Sequence, residues 1–322
     1  MTRISAWLPT RVDGRIRLFA WLSLVTEIVI VGTGGAVRLT ASGLGCPTWP
    51  TCTAESLVPT AEMGVHGVIE FANRLMTGVV GLIALATFVL LWRLRRERRD
   101  LFVLALVLAL GVLVQSLLGG VTVLTGLNPF IVGLHFIVSL LMVCVATVLV
   151  YRTTTTPGPR QRVVPSWFAR LAHATSAFVA ITVAVGVVTT ASGPHSGDSD
   201  AVRSGFNAEL FEHLHAWPAY VTLLLTVALL AVSVTRGLPV VGWVSALLAV
   251  EAVQIVVGLT QARTGLPPVL VGAHMVLACV LAAVMTALIL NLKAERPPSS
   301  TLPVEFARRT SRTRPEQAKS TR

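Results

Sequence analysis

Glu70, Asn73 and Arg74, in V-I-E-F-A-N-R-L-M-T-G (68–78), and three histidines, His135, His215 and His274, stand inside stretches that are otherwise apolar. Polar side chains at membrane depth are costly, so they face a cavity or a partner. His135 and His274 each lie about six residues into a long apolar run, and His215 lies a similar distance into another. At a rise of about 1.5 Å per residue, the three imidazoles share one depth, roughly 9 Å below one surface. Two imidazoles presented from facing helices suit the axial positions of a heme iron, with the porphyrin edge-on between the helices. A protonatable transport site and hydrogen-bonded structural histidines are the competing readings of His215 with His274. His213 is about 200° around the helix from His215, so the two do not serve one iron. His173, near a helix start, and His195, in a loop, read as structural.

Glu70 precedes Asn73 by one turn, on nearly the same helix face. A carboxylate there could relay protons or position a reacting group. The alternative is an ion pair with Arg74 or Arg38 that merely neutralises it. Arg38, Arg74 and Arg263 are cations at the end of the molecule away from the basic loops, where heme propionates and lipid headgroups both offer anions. Glu27 and Glu251, central in their runs, are carboxylates without an assigned role.

The elements that carry these residues follow from composition. Of 322 residues, 54% are hydrophobic and 13% charged, about half the charged fraction of a soluble domain. Apolar runs of roughly 20 residues, long enough to cross a bilayer core as helices, occupy 18–37, 65–92, 101–124, 130–151, 167–190, 210–235, 239–261 and 268–292. The net charge of +11 does not point to nucleic acid, because 22 of the 26 Lys and Arg residues lie on one side if the eight runs alternate. By the positive-inside rule that side is the cytoplasm, and both termini lie there. A cell-membrane, multi-pass protein without a cleavable signal peptide is expected. The Arg-, Pro-, Ser- and Thr-rich tail reads as disordered.

The chain repeats itself. V-Q-S-L-L-G-G-V-T-V-L-T-G-L-N-P in the third run matches V-Q-I-V-V-G-L-T-Q-A-R-T-G-L-P-P in the seventh, and I-V-G-L-H matches L-V-G-A-H. Gln115 pairs with Gln254 and His135 with His274, both at an offset of 139. L-T-A-S-G pairs with T-T-A-S-G, and E-F-A-N-R-L with E-H-L-H-A-W, which sets Glu70 against Glu212 and Asn73 against His215. Two tandem four-helix bundles are expected, related by a pseudo-two-fold axis along the membrane normal. The boundaries are 1–152 for the first half, 153–293 for the second and 294–322 for the basic tail.

The four cysteines divide into two kinds. Cys46 and Cys52, in G-L-G-C-P-T-W-P-T-C, sit in the first loop opposite the basic side, where a disulfide or a redox-active pair is plausible. Cys144 and Cys279 lie inside runs and read as small apolar fillers.

The first run leading through G-G-A-V-R-L-T-A-S-G-L-G-C-P-T-W-P-T-C, then E-F-A-N-R-L, E-H-L-H, V-G-L-H and V-G-A-H, resembles the heme A synthase family over nearly the whole chain except its tail. The resemblance implies oxidation of the C8 methyl of heme O to a formyl group, by successive hydroxylations, for cytochrome oxidase assembly. It implies a heme b between His215 and His274 in the second half, and heme O in the first half with Glu70 as catalytic residue and His135 on the fourth span. Where the family has a second-span histidine, this chain has Asn73. His66, seven residues earlier and about 10 Å nearer the surface, could substitute if the helix starts differently or the heme sits higher; otherwise the iron keeps His135 alone beside Asn73. Loop 191–209 lacks the second cysteine pair of some members. The implied partners are heme O, heme O synthase, membrane lipid and an unidentified electron donor, with a homo-oligomer left open. A di-heme b-type electron-transfer protein is the main alternative, and Asn73 counts against it because such a wire needs both ligand pairs. A secondary transporter is the third class, favoured by the repeats and by Glu27 and Glu251.

Overall fold

The computed structural model describes residues 8–199 and 201–295. Eight helices in it are long and apolar enough to cross a membrane: α1 (Gly14–Leu39), α2 (Gly64–Leu90), α3 (Arg99–Leu124), α4 (Pro129–Thr153), α5 (Ser166–Ser192), α6 (Ala208–Thr235), α7 (Val241–Arg263) and α8 (Pro268–Asn291). The protein is an all-α, multi-pass membrane protein. Each expected span holds one helix. The first begins four residues before its apolar run, because Asp13 caps it, accepting from the backbone N–H groups of Arg15 and Ile16 at 3.1 Å each, a contact that satisfies donors no helical carbonyl can reach.

The sequence repeat recurs as structure. α3 ends with Leu127 N–H donating to Thr122 O at 2.8 Å, and α7 with Leu266 N–H donating to Gln261 O at 2.8 Å. Both turns need left-handed backbone at two successive residues, Gly126 and Leu127 (φ 61° and 60°) and Gly265 and Leu266 (φ 77° and 59°). Such a turn closes the last free carbonyls of a helix, and a proline at the first helical position then restarts the chain as α4 or α8.

Each half has its own apolar core. Leu101, Leu108, Val143 and Leu149 centre the first, and Phe168, Leu229, Leu247 and Leu288 the second. The halves also interlock, since Cys279 of α8 belongs to the first core. Glycines let α8 approach α1 closely: a Cβ on Gly32 would stand 3.2 Å from Val276, and one on Gly272 would stand 3.2 Å from Leu39. The Tyr151 hydroxyl donates to Leu290 O at 3.0 Å, tying α4 to α8.

At the basic end, β1 (Arg160–Arg162) pairs antiparallel with β2 (Lys293–Glu295). Ala294 and Glu295, the first two residues of the expected tail, thus pair with the linker between the halves. Residues 296–322 of the expected tail lie outside the described residues.

At the opposite end, the loop after α1 packs on the start of α2 through Gly45. A Cβ there would meet the backbone of His66 and Gly67, at 2.5 Å from the His66 carbonyl carbon and 2.8 Å from the Gly67 nitrogen. Backbone cannot yield as a side-chain tip can. Gly45→Ala is expected to destabilise the protein by about 1–3 kcal/mol, read as a lower thermal midpoint in detergent. Gly78→Ala, in mid-α2 with open space around it, should be neutral or stabilising by up to about 1 kcal/mol.

Candidate functional site

One continuous cavity of about 430 Å³ opens between the two halves, within the range of small-molecule and cofactor sites. Its wall follows helical stripes: Glu27, Val31, Gly34 and Arg38 on α1, and Glu251, Gln254, Ile255 and Gly258 on α7, spaced to lie on one face of each helix. His135, His215 and His274 all reach it, as their shared depth predicts. The two halves thus contribute to one chamber rather than to two sealed sites.

His215 and His274 face each other with ring centroids 6.2 Å apart and planes at 75°. His215 Nδ1 lies 2.9 Å from Thr182 O, a bond that needs Nδ1 as donor and so leaves Nε2 with its lone pair. Gln254 donates to His274 O at 3.0 Å, holding that turn of α8, while His274 Nδ1 is buried without a hydrogen-bond partner. Glycines flank both rings: a Cβ on Gly186 would stand 2.7 Å from His215 Cε1, and one on Gly258 would stand 3.1 Å from His274 Cε1. Pro218 lies one turn past His215 and cannot donate to the carbonyl of Leu214. Among the described residues no three or more His, Cys, Asp or Glu side chains gather into a bare-metal site. A pair of opposed imidazoles in an apolar chamber fits a metal whose remaining ligands come with it, as in a porphyrin.

The first half repeats the support but not the pair. Gln115 donates to His135 O at 3.1 Å, the counterpart of the Gln254 bond. Gly119 faces the His135 ring as Gly258 faces that of His274, and His135 Nδ1 is likewise buried and unpartnered. Opposite, Asn73 lines the cavity, and its Oδ1 accepts from Thr33 Oγ1 at 2.7 Å. That bond orients the Asn73 amide nitrogen away from Thr33. His66 does not supply the missing imidazole: it is exposed, and its Nδ1 lies 2.9 Å from the Ser42 hydroxyl, outside the cavity wall. α2 begins where the sequence predicts, so nothing brings His66 down to the depth of His135.

Glu70 and Arg74 correct the expectation for this segment. Neither lines the cavity. Glu70 is buried and accepts from the Cys46 backbone N–H at 2.6 Å and from Arg74 Nη2 at 2.5 Å. Arg74 donates further to Cys46 O at 2.9 Å and Thr51 O at 3.1 Å. The pair clamps the loop that contains the Cys46–Cys52 disulfide, so Arg74 directs three hydrogen bonds to protein groups of that loop and of Glu70 rather than into the cavity. Glu70 and Asn73 lie only about 60° apart around α2, so the two side chains flank the same edge of the helix, Asn73 on the chamber side and Glu70 on the loop side.

Arg38 does reach the cavity. Its Nε donates to His195 O at 2.7 Å and its Nη2 to Thr190 O at 2.9 Å, while His195 Nε2 lies 2.8 Å from Leu266 O. The loop after α5 is thereby stitched to α1 and to the α7–α8 turn at the cavity mouth. His195, read as structural from its loop position, has that role.

Residues 17–195 match the COX15-CtaA family of cytochrome oxidase assembly proteins. The chain belongs to this family. It is 30% identical over 135 residues to a heme A synthase of Listeria welshimeri, 42% of this chain and 43% of that protein. It is 37% identical over 127 residues to a heme A synthase of Lysinibacillus sphaericus, 39% and 41% of the respective chains. With a heme A synthase of Exiguobacterium sibiricum the identity is 31% over 176 residues, 53% and 58%. The matched stretches thus span about half the length of these curated relatives.

In this member of the COX15-CtaA family, sequence reasoning left Glu27, Glu251 and Gln115 without a place at the site, although all three line the chamber. Their helical spacing to Arg38, Gln254 and Gly119 was the available signal. Glu251 Oε1 accepts from Thr226 Oγ1 at 2.8 Å.

Removing the Glu70 carboxylate strands Arg74, which is 18% exposed in its side chain against 6% for Glu70. Glu70→Ala is expected to cost about 3–5 kcal/mol, as breaking a buried ion pair does, and to speed reduction of the Cys46–Cys52 disulfide by dithiothreitol. Glu70→Gln, which keeps an acceptor for the Cys46 N–H, should fall between wild type and Ala in both measurements.

Proposed function

We propose that the chain is a heme A synthase, oxidising the C8 methyl of heme O to a formyl group for cytochrome oxidase biogenesis, with heme b resident between His215 and His274. The observation that carries this reading is the single chamber joining an opposed histidine pair in one half to a lone histidine, His135, that shares the wall with Asn73 in the other. An electron-transfer protein would place equivalent ligand pairs on both sides. Here the asymmetry separates a redox station from a substrate position.

When bound, heme b supplies a one-electron redox centre. The chain's own residues do the rest. Thr182 fixes the His215 tautomer so that Nε2 keeps its lone pair and could hold the heme b iron together with His274. Gln254 and Gln115 hold the backbone turns that carry His274 and His135. His135 alone holds the substrate iron, and the Asn73 amide nitrogen presents hydrogen-bond donors on the opposite face. Arg38, with only two of its five donor hydrogens engaged by carbonyls, is the propionate partner at the mouth. Glu70 acts as a positioning residue through the disulfide loop. Heme O arrives from a heme O synthase in the same membrane, an electron donor completes the cycle, and the basic end with both termini faces the cytoplasm.

The deciding experiment expresses the chain with a heme O synthase and extracts membrane pigments. Heme A should accumulate. His215→Ala and His274→Ala should each remove the low-spin bis-imidazole spectrum, while His135→Ala should abolish heme A and retain that spectrum. Heme b without heme A in the wild-type membranes would favour electron transfer instead. Asn73→His should create a second low-spin heme signal when heme O is supplied and lower heme A yield at least several-fold; an unchanged spectrum would show that Asn73 does not face the substrate iron.

A further inference from the structure

A second cavity, of about 510 Å³, lies at the basic end and shares no lining residue with the chamber between the halves. It is built where the tail strand β2 folds back on the linker strand β1, beneath the ends of α4 and α8 and the start of α5. Arg152, Arg160, Arg162, Arg170 and Lys293 surround it, with Ile289, Leu290 and Leu292 forming an apolar side. Like charges gathered around one cleft repel each other and raise the local concentration of anions.

The cations are poorly answered from within the protein. The side chains of Arg162, Arg170 and Lys293 make no hydrogen bond or ion pair with another described residue. The Arg160 guanidinium is stacked over the Tyr151 ring, 4.9 Å from its centroid, and bonded to the Tyr151 hydroxyl. Among the described residues its only carboxylate contact is Glu295 at 3.9 Å, and its Nε is buried with no partner. Its side chain is only 11% exposed, so this donor is held ready and dry. The level in the membrane is marked by Trp167, which is partly exposed beside the cleft with Arg236 over its ring at 5.2 Å, as aromatic side chains at a membrane–water interface are.

We propose that this cleft binds the phosphate of an anionic phospholipid from the adjoining leaflet, the arginines taking the headgroup and the Ile289–Leu292 side taking the first acyl carbons. Arginine suits this because its planar fork meets phosphate oxygens in pairs, and basic pockets between membrane helices recognise such headgroups. The bound lipid would tie β1, β2 and the ends of α4 and α8 together, bracing the joint between the halves. The proposal is independent of heme binding.

The test uses the purified full chain, delipidated in a nonionic detergent, with thermal midpoint as the readout. Dioctanoyl phosphatidylglycerol should raise the midpoint saturably, and dioctanoyl phosphatidylcholine should not. In Arg162→Gln/Arg170→Gln the half-saturating concentration should rise about twenty-five-fold, from roughly five-fold per charge. Arg96→Gln/Arg99→Gln, which removes equal charge from another exposed part of the basic end, should leave it unchanged. Lys293→Gln, at an exposed strand position, gives a single-charge version should the double variant prove less stable without ligand. If inorganic phosphate protects as well as the lipid does, with the same loss in the variant, the phosphate site stands and its source is the free anion. Absence of any response to phosphatidylglycerol, an equal response to phosphatidylcholine, or an undiminished response in both cleft variants would overturn the proposal.

Discussion

A polar group inside a hydrocarbon slab costs several kcal/mol unless the protein itself meets it, and the interior of this molecule is arranged around that cost. Thr33 meets Asn73, Thr226 meets Glu251, and Gln115 and Gln254 meet the backbone carbonyls of His135 and His274. None of these groups turns toward lipid. Because each needs a partner or a wet surface, the helices must bring their polar stripes to a common line, and the chamber lies along it.

The same scaffold is used twice and made to differ at one position. Both halves end their third helix in the same left-handed turn, restart at proline, and anchor the following histidine through a glutamine from the neighbouring helix. Both clear space beside the ring with a glycine. Against that constancy, Asn73 stands where the second half has His215. A change of one side chain on a retained framework leaves an opposed pair of imidazoles in one half and a single imidazole in the other.

The outer loop is secured by a different device. Within seven residues of each other, Cys46 and Cys52 make a short covalent ring, and the buried Glu70–Arg74 pair grips it through three backbone contacts. Arg38 performs the equivalent task for the loop after α5. Of the two loops, only the one after α5 reaches the chamber, through Gly193 and Pro194, and in both loops arginines that offered themselves to heme propionates or lipid headgroups bind backbone carbonyls. Two bonds hold Arg38, which lines the chamber, and three hold Arg74, which does not.

The eight spans and the repeat of the helix-ending turn, the proline restart and the glutamine-anchored histidine were legible in the residue order. Each depends only on apolar length, on the 1.5 Å helical rise and on offsets along the chain, which are local or additive quantities. The role of Glu70 was not legible, because whether a side chain meets a cavity or a loop depends on helix rotation, and rotation is set by what packs on the far side. Nor could the sequence show that one chamber serves both halves, since that follows from α8 packing against α1 through Gly32 and Gly272. The residue order determined which groups the membrane would force inward; the packing of one half on the other decided which of them meet.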